Sequence, residues 1–290
     1  MSPNTLNGYS VNIRHIKSII GDYYLEDITA DLLDELFYKL SEKGLSGTSQ
    51  LYIYRVLHSA FEMGVKRREI YFNYCDMIEP PKKDKFQPTI ILNDNLFKFF
   101  DYLNSYNIKY SLPIILAVSL GLRRGEVLGL KWSDIDLKNK VLHIQRTATP
   151  HKNGYIFTDC KTDKSNRFLQ LSDYLIIKLL EWQNIQNTFS LEKTIDFVFT
   201  QENGKIYSAT TLNKKYKEIL KKCDLDTNIR FHDLRHTFAS YLISENVAVP
   251  IVSQMLGHSK VSTTLDIYTH SDIKQQKIAI DKFEKIVDFI

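Results

Sequence analysis

The chain is poor in the features that tie a protein to a membrane or to an oxidising compartment. No apolar run among its 290 residues is long enough to cross a bilayer, which takes about 20. The first residues, MSPNTLNGYS, lack the basic start and apolar stretch of a secretory leader. Cysteine is scarce: Cys75, Cys160 and Cys223 lie far apart and form no C-x-x-C pair. Neither a disulfide framework nor a zinc site is expected from them. Charge of one sign is scarce too, since 38 basic and 34 acidic residues leave a net charge of +4. That permits a nucleic-acid partner without demanding one, because the clustering of basic groups decides. There is no internal repeat and no low-complexity tract. What is there reads as globular, 43% hydrophobic and 25% charged. The length suits two modest domains or one large one.

Short helices fill the first part. Tyr9, Ile13, Ile16 and Ile20 fall on one face at helical spacing, with Gly21 as a stop. Thr29 can cap a second helix that buries Leu33, Leu36, Phe37 and Leu40, and Gly44 stands where a left-handed residue ends it. Ser46 can cap a third, with Ile53, Val56, Leu57, Ala60 and Phe61 inward. That helix runs into Lys66-Arg67-Arg68, either a solvated helix end that suits the dipole or a set of phosphate contacts. The stretch EPPKKDKFQP, 79–88, holds three prolines and three lysines, among them Lys82, Lys83 and Lys85. It makes a poor helix and a good linker. The expected layout is a helical domain over 1–79, a linker over 80–90 and a second domain over 91–290.

The second domain is mixed. Helical patterns cover about 93–106 and 111–119, and another follows GLRRGE, which Gly121 can open. Val141–Ile144, Tyr155–Phe157 and Phe168–Leu171 read as short strands joined by polar turns. Ser172 starts a helix with Leu175, Leu179 and Trp182 inward, and Phe197–Phe199 is a lone strand candidate. The expected fold class is mainly α with a small antiparallel β-sheet.

Four stretches could carry chemistry. In FHDLRHTFASYLI, His232 and Arg235 share a helix face, as do His232 and His236. The His-x-x-x-His spacing can hold a metal, but Asp233 stands where a metalloprotease has Glu, and Arg235 would crowd a cation. The same residues also suit an anion site beside a proton-transfer group, or a plain polar surface helix. In GLRRGE, Arg123 and Glu126 can pair at i, i+3 and fix a guanidinium for a phosphate; a surface ion pair is the plainer reading. Lys161 sits at the start of a polar turn between strands, where it can serve as a mobile proton donor or only as a turn residue. In LGHSKVSTTLDIYTH, His258 follows a capping glycine, and Tyr268 follows ten residues later in a polar stretch. Cationic neighbours would lower the phenol's pKa from about 10. Two arginines, a lysine, two histidines and a tyrosine are what a metal-free phosphoryl transfer to a side chain needs.

In order and spacing, G-L-R-x-x-E at Gly121–Glu126, the hairpin lysine Lys161, H-x-x-R at His232–Arg235, L-G-H at Leu256–His258 and Y-x-H at Tyr268–His270 resemble the tyrosine recombinases, the phage-integrase family. The resemblance is close from about Ile91 onward. Residues 1–85 resemble the family's helical core-binding domain in helix pattern alone, with Ser49–Lys66 the candidate for the major groove. The resemblance implies a core-type DNA-binding domain followed by an α+β catalytic domain with a tail helix over 272–290. Tyr268 would attack a DNA phosphate and form a 3′-phosphotyrosyl link. Arg123, Arg235 and His258 would bind the non-bridging oxygens, and Lys161 would protonate the leaving 5′ oxygen. His232 would move the tyrosine proton, and Glu126 would orient Arg123. Neither metal, cofactor nor ATP is implied. Partners would be double-stranded DNA recombination sites, a homotetramer on two sites, and accessory DNA-bending proteins. The tail patch Ile280, Phe283 and Val287 would dock on a neighbouring protomer or pack on its own domain. The expected setting is cytoplasmic and nucleoid-associated. Integrases of phages and conjugative transposons commonly carry an arm-binding domain ahead of the core-binding helices; here the helical pattern begins almost at residue 1, which fits either a naturally short member, like the chromosome-dimer resolvers, or a sequence from which that piece is absent. A chromosome-dimer-resolving recombinase, a type IB topoisomerase-like enzyme and a non-catalytic DNA-binding protein are the alternatives.

Overall fold

A computed structural model describes residues 3–84, 88–151, 154–159, 165–189 and 196–258. The chain divides into two compact units, Met1–Phe86 and Gln87–Ile290, and the division falls inside the proline-rich stretch 80–90.

The first unit packs three helices, α1 (Pro3–Ile20), α2 (Ala30–Glu42) and α3 (Gly47–Lys66). The caps follow from local chemistry. Thr29 Oγ1 accepts from Leu32 N at 3.2 Å, and Ser46 Oγ accepts from Ser49 N at 3.2 Å. Each satisfies a donor that the first helical turn leaves free. Gly44 ends α2 at φ +76°. The core gathers Leu33, Leu36, Leu40, Ile53, Leu57 and Phe61. The inward set of α3 is narrower than its spacing predicts, because Val56 is half-buried and Ala60 exposed. The expected stripe on α1 also fails at its first half. Only Ile16, Ile19 and Ile20 reach the core, whereas Tyr9 and Ile13 stay exposed. At the unit's end Asp84 Oδ2 accepts from Thr48 N at 2.9 Å, tying the start of the linker to the first turn of α3.

The second unit is built around a helix that is apolar on all sides. α5 (Ile108–Leu120) follows α4 (Asn93–Ser105), and Leu112, Ile114, Ile115, Leu116 and Ala117 along it are fully buried. Such a helix has no solvent face and is enclosed by others. Here α4, α6 (Arg124–Leu128), α7 (Asp173–Phe189), α8 (Ala209–Lys222) and α9 (Asp233–Ser244) all touch it. The last described helix is α10 (Val249–Leu256), with Pro250 in its first turn, and it packs on α9. Gly121 closes α5 at φ +64° rather than opening the next helix. The tight fit explains the reversal: a Cβ there would lie 2.6 Å from Leu256 Cδ2 and 2.7 Å from Phe238 Cδ1.

Among the described residues, five strands form two small antiparallel sheets. β1 (Ile135–Asp136), β2 (Val141–Ile144) and β5 (Arg167–Gln170) lie in the order β1-β2-β5, while β3 (Arg146–His151) and β4 (Gly154–Asp159) form a separate hairpin. β4 pairs with β3, and β5 with β2; Lys161, expected on a hairpin between strands, lies outside the described residues. Phe197–Phe199 is no strand. Single bridges Lys131–Phe197 and Thr200–Ile206 stand there. Side chains satisfy much of the remaining backbone, with Trp182 Nε1 donating to Val198 O at 2.7 Å.

Candidate active site

Arg123 sits at the N-cap of α6, directly after the turn that ends α5. Its Nη1 donates to Glu126 Oε1 at 2.6 Å and its backbone N to Glu126 Oε2 at 2.9 Å. The i, i+3 pair expected from the sequence is present, and its two sides differ in exposure. Glu126 is 3% exposed, while the Arg123 side chain is 36% exposed, so the carboxylate is fixed and the guanidinium still has an open edge. α6 lies close on β3, where a Cβ on Gly125 would come within 2.8 Å of Ala148 O.

His232 stands at the N-cap position of α9, one residue before the helix begins. Arg235, one turn on, is 2% exposed. It donates from Nη1 to Gly121 O at 2.9 Å and from Nη2 to Leu256 O at 2.5 Å. One guanidinium thus joins the ends of α5 and α10. The His232 and His236 rings meet edge to face at 5.4 Å. Asp233, which stands where a metalloprotease would carry Glu, is turned into Arg230, accepting from its backbone N at 2.7 Å, Nε at 3.0 Å and Nη2 at 2.8 Å. Burial opposes ionisation of Asp233, yet the Arg230 bonds hold its pKa below the usual carboxylate range. Among the described residues, no group of three or more His, Cys, Asp or Glu could hold a metal ion.

His258 follows α10 directly. Gly257 adopts φ +67°, its N–H reaches Gln254 O at 2.9 Å, and the N–H of His258 reaches Ser253 O at 3.1 Å. This is a Schellman ending, and it satisfies two of the last four carbonyls of the helix. The imidazole is half-buried. Burial first, then Arg235 and Arg123, push its pKa down to about 3. The same causes lower His232. Burial and His232 lower His236 to about 4. Near neutral pH these rings are uncharged and face fixed cations.

The structure therefore brings Arg123, His232, Arg235 and His258 into one electropositive pocket, with Glu126 beneath. Lys161 and Tyr268 lie outside the described residues, as do Lys85 and the tail patch Ile280, Phe283 and Val287. The other basic candidates belong to the first unit. Lys66 ends α3 and pairs with Glu62 at 3.1 Å, Arg67 and Arg68 are exposed, and Lys82 and Lys83 are exposed in the irregular segment after it. The sequence reading missed Arg167. It opens β5, is 6% exposed, and donates to Glu126 Oε2 at 3.0 Å and Oε1 at 3.3 Å. The signal was there: strand alternation puts Arg167 on the same buried face as Leu169, and an arginine in line with a core leucine needs a buried partner.

The chain is similar to known proteins. The tyrosine recombinase XerC-like protein of Caldanaerobacter subterraneus subsp. tengcongensis is 30% identical over 272 residues, covering 86% of this chain and 69% of that protein. The ICEBs1 integrase of Bacillus subtilis is 26% identical, covering 94% of this chain and 76% of its own. Among solved structures, the Tn1549 transposon integrase in complex with transposon right end DNA shares the fold at a TM-score of 0.85. It is 19% identical, with 97% of this chain and 94% of that chain covered. The family model described as the phage integrase family matches residues 91–275, which hold every motif residue of the pocket, and the chain belongs to that family of tyrosine recombinases.

Proposed function

We propose that this site-specific recombinase cuts and rejoins double-stranded DNA at recombination sites of a mobile element, through a 3′-phosphotyrosine link at Tyr268. The observation that carries the reading is the pocket itself: two arginines and two neutral histidines converge, with the guanidinium of Arg123 braced yet partly open. A phosphodiester bears one negative charge, and an in-line attack spreads more onto the non-bridging oxygens. Arg123, Arg235 and His258 supply donors already in place for that charge.

Each step balances. The Tyr268 oxygen bonds to phosphorus as the bond to the 5′ oxygen breaks. His232, held in its neutral form, takes the phenolic proton. Lys161 gives a proton to the departing 5′ oxygen. The phosphotyrosyl bond keeps the phosphodiester's energy, so a second 5′-hydroxyl can attack, reverse the steps and free the tyrosine. No metal or ATP enters. The first unit, with α3 foremost and Lys66, Arg67, Arg68, Lys82, Lys83 and Lys85 as candidate phosphate contacts, is the core-type DNA-binding domain in this reading. Four protomers on two DNA sites, tails exchanged between neighbours and accessory bending proteins complete it, in a cytoplasmic, nucleoid-associated setting.

The test is covalent trapping. Nicked duplexes drawn from the ends of the protein's own element are incubated with the chain and a chelator, and the products are run on a denaturing gel. A protein–DNA adduct that vanishes in Tyr268→Phe is the expected result. Tight binding without an adduct on any such duplex would sink the catalytic reading. Rejoining of the same ends without exchange between two duplexes would favour a topoisomerase-like enzyme.

A further inference from the structure

Arg167 engages four of the five N–H donors of its guanidinium. Besides its two bonds to Glu126, its Nε donates to Met255 O at 2.6 Å and its Nη1 to Ser165 O at 3.2 Å. Its side chain is 5% exposed. Glu126 is saturated in turn. Oε1 accepts from Arg123 Nη1 and Arg167 Nη1, and Oε2 from Arg123 N and Arg167 Nη2. Those four bonds match the four acceptor sites of a carboxylate. Burial would raise the pKa of Glu126, but Arg167 and then Arg123 hold it down at about 2.

The same guanidinium reaches the end of α10. Ser253 O and Gln254 O are satisfied by the backbone of the Schellman ending, Leu256 O by Arg235, and Met255 O by Arg167. Cations also suit the negative end of a helix. Two buried arginines thus grip neighbouring carbonyls just before His258.

We infer that Arg167 is a positioning residue for strand cleavage, holding Arg123 through Glu126 and the His258 turn through Met255. The inference rests on the function proposed above. Stability alone gives no reason for the residue, because well-packed apolar groups often replace a buried ion pair without loss. What an apolar group cannot do is hold Glu126 while Arg123 leans toward a phosphate. Lysine cannot do it fully either, since a single ammonium lacks the planar fork that meets a carboxylate and a carbonyl together.

The experiment measures single-turnover adduct formation on the nicked duplex, with duplex affinity and melting temperature beside it. Arg167→Gln and Arg167→Lys are compared with the unsubstituted chain, with Tyr268→Phe, and with Phe99→Leu as a core variant that lowers stability elsewhere in the unit. Expected are near-normal affinity and a cleavage rate lower by about tenfold for Lys and about a hundredfold for Gln, the scale of a misplaced catalytic group. Phe99→Leu is expected to melt lower and cleave normally. Adding Glu126→Gln to Arg167→Gln is expected to cost little more, because the two act in one chain of contacts. A folded Arg167→Lys that cleaves at the unsubstituted rate overturns the inference, as does full additivity with Glu126→Gln. If Arg167→Gln does not fold, the lysine variant decides. Absence of any Tyr268-dependent adduct from the unsubstituted chain is a different failure and falls on the proposed function.

Discussion

His232, His236 and His258 are held neutral by burial and by the cations around them, and two consequences follow for pH. The folded values lie below the ordinary histidine pKa of about 6.5, so below that pH the unfolded chain binds more protons than the folded one. Stability is then full above it and is lost as pH falls toward the folded values of about 4 for His236 and about 3 for His258. The midpoint of urea unfolding should be clearly lower at mildly acidic than at mildly alkaline pH. DNA binding should show the opposite linkage. A phosphate beside His258 offsets Arg235 and Arg123 and raises the imidazole's pKa, so binding takes up a proton at mildly acid pH. Calorimetric titration with duplex in buffers of different ionisation enthalpy measures that uptake, and His258→Gln should reduce it. Uptake unchanged in His258→Gln would place the phosphate elsewhere. The Arg123–Glu126 contact was legible in the sequence because it spans three positions of one segment. The burial of Arg167 was legible in strand alternation, but its partners were not, because they are 41 and 88 positions away and only a fold makes them neighbours.

Helix ends do much of the positioning here. The end of α5 places Arg123, the start of α9 places His232, and the end of α10 places His258. Gly121 lies where the first of these meets the third, at φ +64° with a space that admits no Cβ. Gly121→Ala should cost about 1–2 kcal/mol for the left-handed backbone and about 1–3 kcal/mol more for overpacking against Leu256 and Phe238. Chemical denaturation reads the sum. Cleavage should fall with it, since Gly121 O is also the acceptor for buried Arg235. A loss near zero would mean that α10 shifts freely, against the gripping of its end described above. The caps Thr29 and Ser46 and the glycine stops Gly44 and Gly257 could be read from the sequence, because capping is local chemistry. Strand pairing could not. β3, RTATPH, shows little alternation and ends in a proline and a histidine, so it was missed as the partner of β4.

At the scale of the whole chain, two units with separate cores are joined through a basic, proline-rich stretch. With a net charge of only +4, the chain has little long-range field of its own, so affinity for a duplex must come from where the basic groups sit. In the function proposed above, the site of the second unit takes a single phosphate, and contacts beyond it fall to the first unit, where Lys66, Arg67, Arg68, Lys82 and Lys83 are exposed. Two are weakly held: Lys66 pairs with Glu62 in a solvent-exposed i, i+4 bridge, and the Arg67–Glu69 approach is 4.0 Å. Exposed pairs of this kind contribute about 0–1 kcal/mol, so a phosphate can compete for these cations at little cost. Each phosphate they neutralise adds about 0.9 to the slope of log affinity against log salt. Replacing Lys66, Arg67 and Arg68 together with Gln should therefore flatten that slope by up to about three, measured by fluorescence anisotropy across a salt series. It should leave single-turnover cleavage at saturating protein unchanged, because the three residues belong to the first unit and the proposed catalytic residues to the second. An unaltered slope would show that α3's end faces away from the duplex and would move the first unit's phosphate contacts to the linker lysines Lys82, Lys83 and Lys85.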